Sequence, residues 1–266
     1  MSYLAQELPK ELKEFGQTFD SIVGRFGYTD IFYDFIDYQI ACWLITGDKE
    51  LGERLEKKYE KSYPMIRELF KQLIFSHQKA LNFNSWYDGL GIVYETITSK
   101  WKSSAMGQFF TPPSIVDLMT AITLGNLEKG QGKLISDPAC GSGRFLIASH
   151  AHAPGNYQCG QDLDQVCAKM SAINMLLHGC VGEVSCMNTI TMEWYFGYEI
   201  NPHLTFHGFP SLRKVEKFED SIFYVDYEKF KAKKDTPTAK TSATPEQMKV
   251  EIIEQKIGKK GQFELF

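Results

Sequence analysis

The sequence predicts an α/β protein: a mostly parallel sheet with helices on both faces, preceded by a helical subdomain. Three observations predict it. From about residue 86 to residue 190, short apolar runs alternate with segments of helical period. A loop of small residues, Gly141-Ser142-Gly143, stands where the first such run hands over to a helix. Residues 1 to about 85 carry apolar side chains at helical spacing.

The elements follow in order. In "DIFYDFIDYQIACWLITGD", Ile31, Phe32, Phe35, Ile36, Ile40, Trp43 and Leu44 mark one helix, and Gly47 is its stop signal. In "PMIRELFKQLIFSHQKAL", Pro64 opens a second helix whose stripe is Ile66, Leu69, Phe70, Leu73 and Ile74. These aromatics read as core. "WYDGLGIVYETITSKW" is a helix carrying Leu90, Val93, Tyr94 and Ile97. "TPPSIVDLMTAIT" is another, with Thr111 as its cap and Pro112 or Pro113 in its first turn. Then come "KLISD" (strand), "GRFLIASHA" (helix), "YQCGQD" (strand), "LDQVCAKMSAINMLLHG" (helix, Gly179 past its end) and "GEVSCM" (strand). Such alternation implies a parallel sheet. Beyond about residue 229 the chain turns polar and rich in Lys and Thr, and reads as a flexible tail, with a short helix in "KVEIIEQKIG". The expected domains are therefore 1–85, 86–228 and 229–266.

Composition sets bounds. The chain has 266 residues, 43% hydrophobic and 23% charged, enough for one substantial core plus an appendage. It contains no apolar run long enough to span a membrane. The start, "MSYLAQELPKELKEF", has early acids and no apolar signal core, so a cytoplasmic location is expected. Six cysteines, none in a C-x-x-C pair, read as buried reduced thiols. His150 and His152 lack further ligands at a recognisable spacing, so no metal is expected. Net charge is −4, which argues against strong autonomous binding to DNA.

The glycine loop carries the functional signal. In an open parallel sheet, ligands bind beyond the carboxyl ends of the strands. Glycines there permit positive φ and close approach to the backbone. The loop is neither G-x-G-x-x-G nor a P-loop. Asp162 ends the next strand, where an acid can accept from ribose hydroxyls. Asn188 follows the third strand, where an amide can meet an adenine edge. Glycines, an acid and an amide at consecutive strand ends describe an adenosine-shaped site. A lone Gly-x-Gly would more often be only a turn.

These residues resemble a known family. "DPACGSG" (137–143) looks like motif I of adenine-specific DNA methyltransferases, notably the modification subunits of type I restriction systems. "GQFFTPPSIVDLM" (107–119) resembles the family's G-x-F-Y/F-T-P motif, "DGLGIVYE" (88–95) the helix before it, and "INMLLHG" (173–179) the helix after motif II. The resemblance covers about residues 86–190 and implies a Rossmann-like methyltransferase domain that binds S-adenosylmethionine. Carried over, it implies that Gln108, Phe109, Phe110, Thr111 and Pro112 line the methionine and ribose side. Asp137, Ala139, Gly141 and Gly143 would form the loop floor, and Asp162 would hold the ribose. Asn188 stands where the family usually has Asp, and would meet the cofactor adenine. Core packing is the competing reading of Phe109 and Phe110.

The resemblance breaks at the family's catalytic element, Asn/Asp-Pro-Pro-aromatic, which holds the flipped target adenine. The nearest match here is Asn201-Pro202-His203-Leu204. Asn201 and Pro202 are thus the candidate catalytic residues, weighed against a chance Asn-Pro turn. Loss of the stacking aromatic would forfeit about 1–3 kcal/mol of base binding. "TMEWYFGYE" lacks the usual apolar strand, while "LTFHGF" and "SIFYVDY" are expected to supply one or two. The resemblance implies an adenine-specific DNA methyltransferase of restriction–modification type, weak or dependent on a partner. That partner would be a specificity subunit or a second copy. The alternatives are a catalytically deficient cofactor-binding regulatory or assembly protein, and a methyltransferase for another substrate.

Overall fold

The computed structural model describes residues 4–101, 110–125 and 127–235. Gln108 and Phe109 lie outside these residues, as do most of the expected tail and the helix expected in "KVEIIEQKIG". The described chain begins with helices α1 (Leu4–Glu7), α2 (Lys13–Ile22), α3 (Tyr28–Trp43), α4 (Lys49–Tyr59) and α5 (Tyr63–Leu81). Next come α6 (Gly89–Trp101) and α7 (Pro113–Leu124). The apolar stripe of α3 is buried through Ile31, Phe32, Phe35, Ile36 and Ile40. Its exit is fixed by Gly47 at φ 64°. Asp48 caps α4 by accepting from the Leu51 backbone N–H at 2.9 Å. Pro64 lies in the first turn of α5, whose Ile66, Leu69 and Leu73 are buried. The expected cap of α7 differs: Pro112 holds the N-cap position with no side-chain cap, and the Thr111 carbonyl accepts from Arg144 instead.

The α/β expectation holds. Strands β1 (Leu134–Asp137), β2 (Tyr157–Asp162), β3 (Val181–Asn188), β4 (Glu193–Ile200) and β5 (Leu212–Val215) form one sheet in the order β1-β2-β3-β4-β5. Helices α8 (Arg144–His152) and α9 (Gln165–Leu177) follow β1 and β2. Strands β1, β2 and β3 are parallel, with Asp137 level with Gly160 and Asp162 level with Cys186. Their carboxyl ends therefore share one edge.

The sheet becomes mixed at β4, which turns back antiparallel to β3 so that Gly182 faces Ile200. This strand replaces the ones expected further on. "LTFHGF" forms instead the short helix α10 (Leu204–His207), and "SIFYVDY" leads into α11 (Tyr224–Asp235). The reason lies in β4's pattern. Trp194, Phe196 and Tyr198 alternate with the more exposed Glu193 and Tyr195, which suits an antiparallel strand rather than an apolar parallel one.

The described residues up to Lys214 form one compact unit and those from Val215 another. In the first, α3 packs on α9 and α6, and one buried cluster runs from Leu4 through Phe32, Tyr94 and Ile173 to Leu212. The N-terminal helices share that core with the sheet. In the second, the rings of Phe218, Tyr224 and Tyr227 pack edge to face or tilted, with centroids 5.3–5.8 Å apart. Five of the six cysteines are buried, while Cys42 is exposed. No described helix is long and apolar enough to cross a membrane.

One polar contact ties the N-terminal helices to the sheet layer. His77 of α5 and His178, just past α9, meet edge to face with ring centroids 4.5 Å apart. His178 Nδ1 lies 2.7 Å from the Asn174 carbonyl, and Nε2 accepts from the Tyr87 N–H at 3.0 Å. The ring is therefore the neutral Nδ1–H tautomer. Burial lowers His77 to about 4 and His178 to about 3, the latter helped by its histidine neighbour. Because the folded values lie below the unfolded value of about 6.5, this contribution is fully present above pH 6.5 and is lost as pH falls toward 4. Each histidine adds a slope of up to about 1.4 kcal/mol per pH unit in that window. Urea melts between pH 7 and 5 should show stability falling on acidification, and His77→Gln should flatten the profile.

Candidate functional site

The site is built on the end of β1. Asp137 Oδ1 accepts from the Ala139 N–H at 3.1 Å and starts the turn. The Cys140 N–H reaches the Gln161 carbonyl at 2.9 Å, and the Gly141 N–H reaches Asp162 Oδ2 at 2.8 Å. Strand β2 thus holds the loop through both backbone and side chain. Gly141 and Gly143 adopt φ 54° and 86°. A Cβ on Gly141 would stand 2.9 Å from the Phe110 ring, and one on Gly143 would stand 2.6 Å from Ser171 Oγ. The missing side chains therefore admit the protein's own neighbours, an aromatic on one side and α9 on the other.

Behind the loop lies a buried ionic cluster. Asp88 Oδ2 accepts from Ser142 Oγ and Arg144 Nε, both at 2.6 Å. Its Oδ1 accepts from the Gly91 N–H and Asn174 Nδ2, both at 2.7 Å. Asn174 Nδ2 also reaches the Ser142 carbonyl at 2.8 Å. Arg144 donates on to Glu95 Oε2 at 2.7 Å and to the Thr111 carbonyl at 3.0 Å. Glu95 Oε1 in turn accepts from the Phe110 N–H at 3.0 Å, and the guanidinium lies 5.3 Å from the Phe110 ring centroid. Burial works against the charge on Arg144, but Asp88 and Glu95 outweigh it and raise its pKa. Sequence reasoning gave these residues no role, although Asp88, Glu95 and Asn174 sit inside stretches that carry the resemblance.

A cavity of about 390 Å³ opens over the loop. Phe110, Thr111, Asp137, Ala139 and Gly141 line it, so the structure brings these predicted residues together. Gly143 sits behind them as the N-cap of α8. Asp162 stands one step back, with Oδ2 on Gly141 and Oδ1 on the Asp164 N–H at 2.9 Å. The Leu163 backbone N–H also favours its charged form, so the carboxylate is largely but not wholly engaged. Burial raises the carboxyls of both Asp137 and Asp162, and backbone N–H groups oppose the rise. Pro112 is the N-cap of α7 and is not on the cavity wall. Asn188 is also outside it: its Oδ1 accepts from the Ile190 and Thr191 N–H groups at 3.0 and 3.1 Å, closing the β3–β4 turn.

Asn201 and Pro202 are not brought to this cavity. Because β4 runs antiparallel, Ile200 is level with Gly182 and Gln158, at the amino end of the parallel strands. That is about 13 Å along the sheet from Asp162, at some 3.3 Å per residue. The Asn201 side chain is also spent. Its Nδ2 donates to the Cys180 carbonyl at 2.8 Å and the Leu176 carbonyl at 3.2 Å, and its Oδ1 accepts from the Ser211 N–H at 3.1 Å. With φ 52°, it is a structural turn residue, as Asn tolerates.

Comparison with known proteins bears on this geometry. Residues 85–198 match the family model described as N-6 DNA Methylase. The chain is 34% identical over 104 residues to the type I restriction enzyme MjaVII methylase subunit of Methanocaldococcus jannaschii, covering 36% of this chain and 17% of that protein. It is 36% identical over 103 residues to the HindI methylase subunit of Haemophilus influenzae, covering 35% and 22%. Against the EcoEI methylase subunit of Escherichia coli it is 27% identical over 137 residues, covering 46% and 26%. The chain thus spans about a fifth of the length of these relatives.

The cluster makes a sharp stability test. Asp88→Ala would leave the Arg144 charge buried with only Glu95 beside it. Removing one partner of such a pair costs about 3–5 kcal/mol. Urea unfolding should show a loss in that range for Asp88→Ala and a smaller loss for Glu95→Gln, whose side chain is more exposed.

Proposed function

We propose, since residues 85–198 belong to the N-6 DNA methylase family, that this chain binds S-adenosylmethionine and serves adenine-specific DNA methylation of restriction–modification type, together with a partner. The observation that carries this is the cavity over the Asp137–Gly143 loop, with its paired glycines and the Asp162 carboxylate braced behind them. Its volume of about 390 Å³ lies within the usual range for small-ligand sites, about 300–1,000 Å³. The cofactor supplies an activated methyl group for the adenine amine.

The chain's own residues bind and orient. Phe110 offers a ring face backed by Arg144, and Thr111, Asp137 and Ala139 offer polar and backbone groups on the same wall. Gly141 keeps the floor low, and Gly143 lets α8 start against α9. Asp162 would accept from a ribose hydroxyl with its remaining acceptor capacity. Gln108, Phe109 and Pro112 would flank the methionine side, and Asn188 the adenine side. Net charge of −4 supports a partner for DNA binding, because phosphate neutralisation supplies much of the affinity for DNA.

Calorimetry with S-adenosylhomocysteine tests the proposal. The folded chain should bind it, and Asp162→Ala should weaken binding by about 1.5–3 kcal/mol, the range for hydrogen bonds to a charged group. No heat of binding from well-folded protein would remove the proposal. Asn201→Ala should leave that binding unchanged and lower stability by about 2 kcal/mol or more, since it strands buried backbone groups.

A further inference from the structure

Two stretches that carry the family resemblance, 88–95 and 173–179, lie off the cavity wall and meet behind it. Asp88 stands just before α6 and accepts from the Gly91 N–H at 2.7 Å, as a helix cap does. A Cβ on Gly91 would stand 1.9 Å from the Asp88 carboxylate, so this cap closes only over a glycine. The same carboxylate takes the Ser142 hydroxyl at 2.6 Å. The position of residue 88 is thereby passed directly to the glycine loop.

The end of α9 grips residues 87 and 88 from two sides. Asn174 and His178 are one helical turn apart and share a face. Asn174 Nδ2 donates to Asp88 Oδ1 at 2.7 Å and to the Ser142 carbonyl at 2.8 Å. His178 Nε2 accepts from the Tyr87 N–H at 3.0 Å. Its Nδ1 donates to the Asn174 carbonyl at 2.7 Å, which fixes the tautomer that leaves Nε2 able to accept. The ring meets His77 edge to face. Filling the space behind the loop does not require polar groups, since apolar side chains of similar volume often serve buried positions equally well. An apolar side chain at 178 could not hold the Tyr87 N–H, and so could not hold the backbone from which the Asp88 carboxylate projects.

We propose that His178 is a positioning residue for the ligand cavity. Through the Tyr87 N–H it sets where Asp88 stands, and through Asp88 it sets the Ser142 step of the loop. It does not line the cavity. Without its acceptor nitrogen, the Tyr87 N–H must move to find another partner. Asp88 moves with it and draws on Ser142. Gly141 and Gly143, on either side, have no Cβ to resist the movement. The effect on ligand affinity rests on the cofactor reading above, and the effect on the loop does not.

Two variants separate the roles of the ring nitrogens. His178→Asn keeps a donor for the Asn174 carbonyl but ends short of Tyr87. His178→Gln reaches the Tyr87 N–H with its Oε1 and gives up the other bond. Each loses one hydrogen bond, so a role in packing alone would make them alike. Ile66→Ala, a truncation in the buried face of α5, controls for lost stability. Calorimetry should show S-adenosylhomocysteine bound about fivefold more weakly by His178→Asn, the worth of one neutral hydrogen bond, with His178→Gln and Ile66→Ala close to wild type. Hydrogen exchange in the ligand-free chains should be about fivefold faster at the Gly141 and Gly143 amides in His178→Asn alone. If His178→Asn does not fold, His178→Phe, which keeps a ring against His77 and has no acceptor, takes its place. Equal weakening in His178→Asn and His178→Gln, weakening as large in Ile66→Ala, or none in His178→Asn would overturn the proposal. If the wild-type chain binds no S-adenosylhomocysteine, the cofactor reading falls and loop exchange alone decides. Faster exchange confined to His178→Asn then upholds the positioning role, and equal exchange in every chain overturns it.

Discussion

The arrangement around the cavity depends on one buried ion pair, Arg144 with Asp88. Asp88 accepts from Ser142, Arg144, Gly91 and Asn174, which uses its full acceptor capacity. Those donors come from the glycine loop, α8, α6 and α9. Arg144 then reaches Glu95 and the Thr111 carbonyl, and Glu95 holds the Phe110 N–H. One pair of charges therefore sets where the loop, the Phe110 ring and three helices stand relative to each other. Desolvation makes such a pair a poor source of net stability unless every donor and acceptor is answered. Here the partners are numerous and short, so the pair's main effect is registry. The cavity wall that holds Phe110 and the floor that holds Gly141 are both referred to the same carboxylate.

Sheet direction decides which residues can join that constellation. Three parallel strands bring Asp137, Asp162 and Asn188 toward one edge. The next strand reverses, so the residue that follows it, Asn201, arrives at the other edge and is consumed in tying the end of α9 to the segment before β5. A similar Asn-Pro dipeptide after a parallel strand would have landed beside the cavity. The difference lies in the short turn after Asn188, where Met192 takes φ 62° and closes a hairpin that leaves no room for a crossover helix.

How far the sequence disclosed this follows from how local each signal is. Strand ends and glycine turns are local, so Asp137, Gly141, Gly143 and Asp162 could be named from short windows. The ionic cluster is not local. Arg144 looks like any basic residue in a first helical turn, and Asn174 like any polar residue inside a helix. Their shared partner Asp88 lies 56 and 86 residues away. The β4 strand was missed for a different reason. The family pattern implies a parallel, doubly covered strand, whereas aromatic alternation in "EWYFGYEI" signals an antiparallel one. Asn188 was placed correctly at a strand end, but its side chain serves the turn that the reversal requires.

Helix α7 shows where periodicity alone runs out. From sequence, "SIVDLMTAIT" is simply an apolar helix, and an apolar helix reads as core. The structure resolves it into two faces. Val116 and Thr120 point inward, while Ile115, Leu118, Met119 and Ile122 point out beside the edge strand β1. Scattered exposed apolar side chains need no explanation, but a contiguous stripe at contact spacing on a fixed helix does. On α7 the exposed stripe lies beside β1, the strand that positions the glycine loop, because Met119 and Ser136 line the same cavity.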